Sequence, residues 1–291
     1  MTTVAPPKVG FDHILVPMDF TDVSDRALDY ARKIASMNSS ELILAHIDEP
    51  FNPITPAEAV WFAQITEREP DQEKLQTYAA ELHTQGYRAR SITLVGTIKD
   101  EILHAAENEH ADLMVLGTHG RSGVMRFLFG SEAEGIYRHS ACPIIVIGPE
   151  VRPVCESAWF PKGIICACDL DPASAPTAAY AQRLAEEFGA ELTILHVDDS
   201  EGKASPEETM ANFERALVPL LIGEDKPAVL WRTLKQGHNL GSAIADVAIE
   251  RNAGLIVMGA HPAAHPTMHF LRSNVPHVMA EAPCPVMVVH K

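Results

Sequence analysis

No stretch of the chain approaches the length needed to cross a bilayer as a helix, and Met1 to Gly10 carries two prolines and no apolar core. Neither a membrane-spanning segment nor a secretory signal is expected, and a cytoplasmic location is. Basic residues are scarce: 23 Lys and Arg stand against 39 Asp and Glu, a formal net charge of -16. A nucleic-acid backbone or an anionic membrane needs a basic face that displaces its counterions, so neither is an expected partner. The five cysteines, at 142, 155, 166, 168 and 284, are odd in number and include no Cys-x-x-Cys pair. That argues against a disulfide framework and against a zinc knuckle. Cys166 and Cys168 alternate with Ala167, which puts both sulfurs on one side of a strand as buried structural thiols. A Gly-x-x-x-x-Gly-Lys-[Ser/Thr] loop is also missing, and with it the lysine such loops aim at the outer phosphates of a nucleotide. Fast nucleotide hydrolysis is not expected.

What is present is a chain of 291 residues, 46% apolar and 21% charged, long enough for two globular domains. His13 to Met18 reads as a strand ending in Asp19, followed by N-cap candidates and by Ala27, Leu28, Ala31, Ile34 and Ala35 at helical spacing. Leu42 to Ile47 is a second buried strand. A helical region interrupted near Pro70 runs on to Gly86, and Arg88 to Val95 alternates as a strand nearer the sheet edge. Ile98 to His110 is helical, with Ile102, Leu103, Ala105 and Ala106 inward. Leu113 to Leu116 and Cys142 to Ile147 are strands four and five. Strands alternating with helices imply a parallel, doubly wound α/β sheet.

The fourth strand runs into Gly117-Thr-His-Gly120-Arg-Ser-Gly123, and Gly130-Ser131 follows just before a helix. Glycines permit close backbone approach, and the N–H groups of such a loop and helix start suit an anion, phosphate above all. Arg121 and Arg126 are the charged side chains between His119 and Glu132, so the loop is locally basic.

After a proline-bearing linker, 148 to 161, the pattern starts again. Gly163 to Asp169 parallels His13 to Asp19, and Leu192 to Val197 parallels Leu42 to Ile47, with His196 answering His46. Leu255 to Gly259 parallels Leu113 to Gly117, and Ala282 to Val289 parallels Ala141 to Ile147. The repeats divide the chain into domains 1-150 and 151-291.

The spacing Gly, two residues, Gly, nine residues, Gly-Ser resembles the nucleotide signature of the universal stress protein family. With the strand ends in Asp and His, the likeness covers nearly the whole chain as a tandem form. The resemblance implies two five-stranded sheets of order 3-2-1-4-5, packed as an intramolecular pseudo-dimer through their apolar fifth strands. It also implies ATP, or AMP or ADP, at the ends of strands 1 and 4. Pro17, Asp19 and the backbone of Ile47 would hold the adenosine end. Gly117, Thr118, His119, Gly120, Arg121, Gly130 and Ser131 would hold the phosphates. Asp19 also has a structural reading, as an anion at the start of the next helix. Glu132 departs from the family pattern; it would either repel a γ-phosphate or help hold a divalent ion such as Mg2+. His119 has no visible catalytic partner and reads as a hydrogen-bond donor.

In the second half Gly259-Ala-His-Pro262 and Arg272-Ser273 stand over the glycine positions, so that half is expected to bind no nucleotide. The reading is therefore a regulatory nucleotide-binding protein whose conformation is read by a protein partner, with homodimerisation open to it. The alternatives are a slow ATPase or nucleotide-dependent enzyme, and a metal-responsive or scaffolding protein using His261, His265 and His269.

Overall fold

Short runs of Val, Ile, Leu and Ala without alternation make strands covered on both faces, and such strands set the architecture here. The computed structural model describes residues 10–49, 71–118, 131–153, 161–168, 174–198, 206–217, 230–236, 239–259 and 275–289. Among the described residues ten strands alternate with eight helices. They fall into two compact units, one holding Phe11–Cys142 and the other Pro143–Lys291.

The first unit runs β1 (His13–Pro17), α1 (Asp22–Asn38), β2 (Glu41–Asp48), α2 (Asp71–Thr84), β3 (Arg88–Val95), α3 (Ile98–Asn108), β4 (Leu113–Gly117) and α4 (Ser131–His139). Its strands lie in the order β3-β2-β1-β4, every pair parallel. Ile14, Leu15, Val16, Leu42, Ile43, Leu44, Leu113 and Met114 are each 0% exposed. Each such side chain contributes roughly 1.5–3 kcal/mol relative to full exposure. β3 stands at the end of the order and is half-buried along most of its length, as its alternating sequence anticipates. Arg90 on β3 bonds Glu41 of β2 and Glu109 just past α3, tying that edge to the next layer. α1 opens with a capping box in which Thr21 and Ser24 satisfy each other's backbone N–H groups, and it ends at Ser39 in a left-handed conformation. Three of the four apolar residues expected inward on α3 are buried; Leu103 sits half-buried at the margin of the stripe.

The second unit begins with β5 (Ile144–Ile147). It continues through β6 (Gly163–Ala167), α5 (Ala175–Phe188), β7 (Glu191–Asp198), α6 (Pro206–Leu217), β8 (Leu230–Gln236), α7 (Leu240–Glu250), β9 (Leu255–Gly259), α8 (Val275–Glu281) and β10 (Val286–Val289). The strand order is β5-β10-β9-β6-β7-β8. β6 through β9 repeat the parallel pattern of β1 through β4, and β10 lies parallel to β9. β5 pairs antiparallel with β10, Val146 opposite Val286 and Ile144 opposite Val288. The two strands that close the sequence repeats therefore pair with each other, which removes two apolar edges. The fifth strand starts at Ile144 rather than at Cys142, because Ser140 ties down the approach: its hydroxyl donates to the Cys142 carbonyl and accepts from the Cys142 N–H.

Cys142, Cys166, Cys168 and Cys284 are buried and unpaired. Burial pushes the Cys142 thiol up to about 11 and the Cys284 thiol up to about 12. Cys166, hydrogen-bonded to the Cys168 thiol and fully enclosed, is raised as well. Thiolate is the reactive form, so these sulfurs should be inert in the native state. In a Cys155→Ser protein at pH 8, a disulfide reagent should titrate almost no thiol over minutes, and four per chain once urea is added. Rapid native labelling of any of the four would contradict the burial.

Candidate functional site

β1 leaves the sheet between β2 and β4, where the strand order reverses, and its last residues are held by β2. The Met18 N–H donates to the Ala45 carbonyl at 2.7 Å, and the Met18 carbonyl lies 2.7 Å from Nδ1 of His46. The second half repeats this: the Cys168 N–H reaches the Leu195 carbonyl at 3.0 Å, and Nδ1 of His196 lies 3.1 Å from the Cys168 carbonyl. The recurring histidine thus caps a strand end.

Pro17 closes β1 and Asp19 follows one turn residue later. Oδ1 of Asp19 accepts from the Thr21 N–H at 3.1 Å and from the Thr21 hydroxyl at 2.7 Å. One carboxylate oxygen therefore organises the start of α1, the structural role weighed from the sequence. Phe20 between them takes a left-handed φ of 61°, a strained value for an aromatic residue. Its ring lies 4.9 Å from that of His46 and 6.0 Å from that of Tyr78, with Nζ of Lys74 4.5 Å above it.

Ile47 lies beyond the last β1–β2 pair, Pro17 with Ala45. Backbone groups alternate sides along a strand with a period of two. The Ala45 carbonyl faces β1, and the Asp48 carbonyl accepts from Gly96 on the β3 side at 3.1 Å. The N–H and carbonyl of Ile47 accordingly face the β1 side, past the point where β1 has turned away. Ile47 and Asp19 are thus brought to one strand end.

Gly117 ends β4 for a packing reason that local sequence does not carry. A Cβ there would stand 2.7 Å from Cγ1 and 2.8 Å from the carbonyl oxygen of Val23 in the first turn of α1. The glycine is required by helix packing, and that contact brings the β4 end against the α1 start. Thr118 is buried at 1% exposure. His119, Gly120, Arg121 and Gly130 lie outside the described residues, as do Asp169, Pro262, Arg272 and the histidines at 261, 265 and 269. Ser131 opens α4 and Glu132 sits in its first turn.

Three side chains with metal-ligating atoms also meet here, one of them the strand-end histidine. Nε2 of His46 lies 3.3 Å from Oδ1 of Asp48 and 3.5 Å from Oδ2 of Asp71, the first residue of α2. The i, i+2 spacing of His46 and Asp48 on a strand was a readable signal. Asp71 was not, since it arrives from another element.

A ligand position at the carboxyl ends of strands flanking a reversal of strand order is characteristic of doubly wound α/β proteins, and that is the class the first half defines. Sequence comparison is more specific. The universal stress protein family model matches residues 10–148 and 161–290. A universal stress protein of Mycolicibacterium smegmatis is 24% identical over 288 residues, 95% of this chain and 96% of its own. The universal stress protein MJ0531 of Methanocaldococcus jannaschii is 33% identical over 141 residues, 47% of this chain and 82% of its own. Among solved structures, a universal stress protein from Archaeoglobus fulgidus has the same fold, with a TM-score of 0.68, 21% identity and 98% of both chains covered. The chain belongs to the universal stress protein family, in a tandem form with two matched regions. No helix among the described residues is long and apolar enough to cross a membrane.

Two measurements test this geometry. Gly117→Ala should lower stability by about 1–3 kcal/mol through overpacking against Val23. Gly10→Ala, where a Cβ meets nothing within 4 Å, should change the urea midpoint little. The second concerns Tyr78, whose hydroxyl donates to Oδ1 of Asp25 at 2.9 Å. Burial, then the Asp25 carboxylate, push its phenol from 10 up to about 12. A raised folded value favours the neutral phenol, so this contribution is whole below pH 10 and disappears between pH 10 and 12. Urea melts across that window should fall less steeply for Tyr78→Phe than for the parent.

Proposed function

We propose that the protein binds one adenine nucleotide per chain, ATP or its di- or monophosphate, at the carboxyl ends of β1 and β4, and acts as a regulatory binding module of the stress response. One observation carries the reading: the Gly117, Gly120, Gly130-Ser131 spacing begins at the end of β4, whose neighbour β1 ends just before Asp19, with Ile47 near the end of β2 on the other side of β1. A phosphate there would meet the N–H groups of a glycine-bearing loop and of the α4 start, the usual main-chain anion site. Arg121 and the Ser131 hydroxyl would add to it. Thr118 and His119 complete the loop as donors. With Oδ1 of Asp19 engaged by Thr21, its second oxygen is the one suited to ribose hydroxyls, and the Ile47 main chain suits the adenine edge. Pro17 lines the same strand end. Glu132 in the first turn of α4 would be the neighbour of a Mg2+ ion carried by the nucleotide.

The absence of a P-loop lysine favours binding over turnover, and we assign no catalytic residue. Slow hydrolysis would appear as phosphate release proportional to enzyme in an overnight assay. The repeats are taken as domains 1-150 and 151-291, associating as a pseudo-dimer through β5 and β10, a reading that rests on the pairing of those two strands. A cytoplasmic site of action, where ATP is abundant, and a protein partner that reads the occupied state belong to the same proposal.

Isothermal titration with ATP tests it. One site per chain is expected. Gly120→Val should abolish binding by blocking close approach, and Pro262→Val should leave it unchanged. Each lost main-chain donor costs about 1–3 kcal/mol, so two such differences weaken a second site by on the order of a hundredfold or more. Two sites per chain, or full binding by Gly120→Val, would overturn the assignment.

A further inference from the structure

The interactions of His46 go beyond the strand end that it caps. We propose that His46, Asp48 and Asp71 bind a divalent transition-metal ion of the zinc type, one per chain, independently of any nucleotide. His46 is 7% exposed, and its Nδ1 faces the Met18 carbonyl at 2.7 Å. A carbonyl only accepts, so Nδ1 carries the hydrogen and Nε2 is the nitrogen left to meet a ligand. That arrangement, one ring nitrogen donating to a main-chain carbonyl and the other turned to the ion, is the usual support of a metal-ligating histidine.

The distances fit. One ligand atom from each of the three residues lies within 4.8 Å of the other two. A tetrahedral ion with bonds of about 2.0–2.1 Å needs ligand atoms about 3.3–3.4 Å apart. The two histidine-to-carboxylate separations are 3.3 and 3.5 Å. An imidazole among the ligands selects zinc, copper, nickel or iron over calcium and magnesium, which favour all-oxygen sets. The Asp48 side chain is 53% exposed, which leaves a fourth position open to water.

The local field both helps and opposes. Asp71 and Glu73 place two carboxylates in the first turn of α2 and offset the positive end of that helix. Lys74, held over the Phe20 ring, is a nearby cation that weakens the site. The ion would tie the end of β2 to the start of α2. His196 in the second half has the same ring support, but α6 opens with Pro206 where α2 opens with Asp71. Among the described residues the cluster occurs once.

The test uses the untagged full chain, stripped of metal and nucleotide, with ZnCl2 in calorimetry and Co2+ absorption as a second readout. The background is His261→Gln/His265→Gln/His269→Gln, which removes the other histidine group. One Zn2+ per chain and an intense tetrahedral Co2+ spectrum are expected there. Adding Asp48→Asn and Asp71→Asn should weaken Zn2+ binding by more than about tenfold and bleach the Co2+ bands. If the double variant does not fold, as judged by circular dichroism, Asp48→Asn alone must still weaken binding by that factor, since Asp48 is exposed. Equal Zn2+ binding with and without the two carboxylates overturns the proposal. So does no binding in the triple-glutamine background.

Discussion

A strand buried between two neighbours loses its hydrogen-bond partners where it leaves the sheet, and the backbone groups it exposes there must be met at once. Met18 solves this in the first half by giving its N–H to the Ala45 main chain and its carbonyl to the His46 ring. Leaving such a carbonyl unmet costs about 1–3 kcal/mol. With the end of β1 fixed, Asp19 can hold Thr21, Thr21 can cap α1, and Val23 can press on Gly117 at the end of β4. Two strand ends, a helix start and the entry to the glycine loop are therefore referenced to one another through a single histidine. Cys168 and His196 do the same in the second half, so this device belongs to the fold rather than to any ligand.

The inner strands are legible because burial on both faces leaves a continuous apolar run, and β3 through its alternation; β8, Leu-Trp-Arg-Thr-Leu-Lys-Gln, carries no such run and is not legible. α1 was legible through its caps and spacing. Harder were the margins: Leu103 lies where the α3 stripe meets solvent, and Cys142 is bound by Ser140 before the strand begins. The motif offers Gly117 to a ligand, and packing demands it as well, through Val23 almost a hundred positions earlier. The His46, Asp48 and Asp71 cluster shows the same limit, because adjacency across elements leaves no periodic trace.

The halves share a frame and differ in what is attached to it. Strand order, the parallel registers and the strand-end histidine recur, which is what a duplicated core must preserve to stay packed. The loops are under no such constraint. Proline and arginine replace two glycines of the second loop, and a helix that opens with an acid in one half opens with proline in the other. The packing of both copies remains under the same demands while their loop sequences differ.

β5 belongs by sequence to the first repeat and by hydrogen bonding to β10, with which it shares three paired positions. Anyone dividing this gene product into halves meets the consequence. A fragment ending near residue 150 would present Ile144–Ile147 as a short apolar edge whose complement has been cut away. An antiparallel edge of that kind is self-complementary under a twofold axis, so the fragment's simplest remedy is another copy of itself. A covalent tandem makes that encounter intramolecular, and its strength no longer depends on how much protein the cell holds.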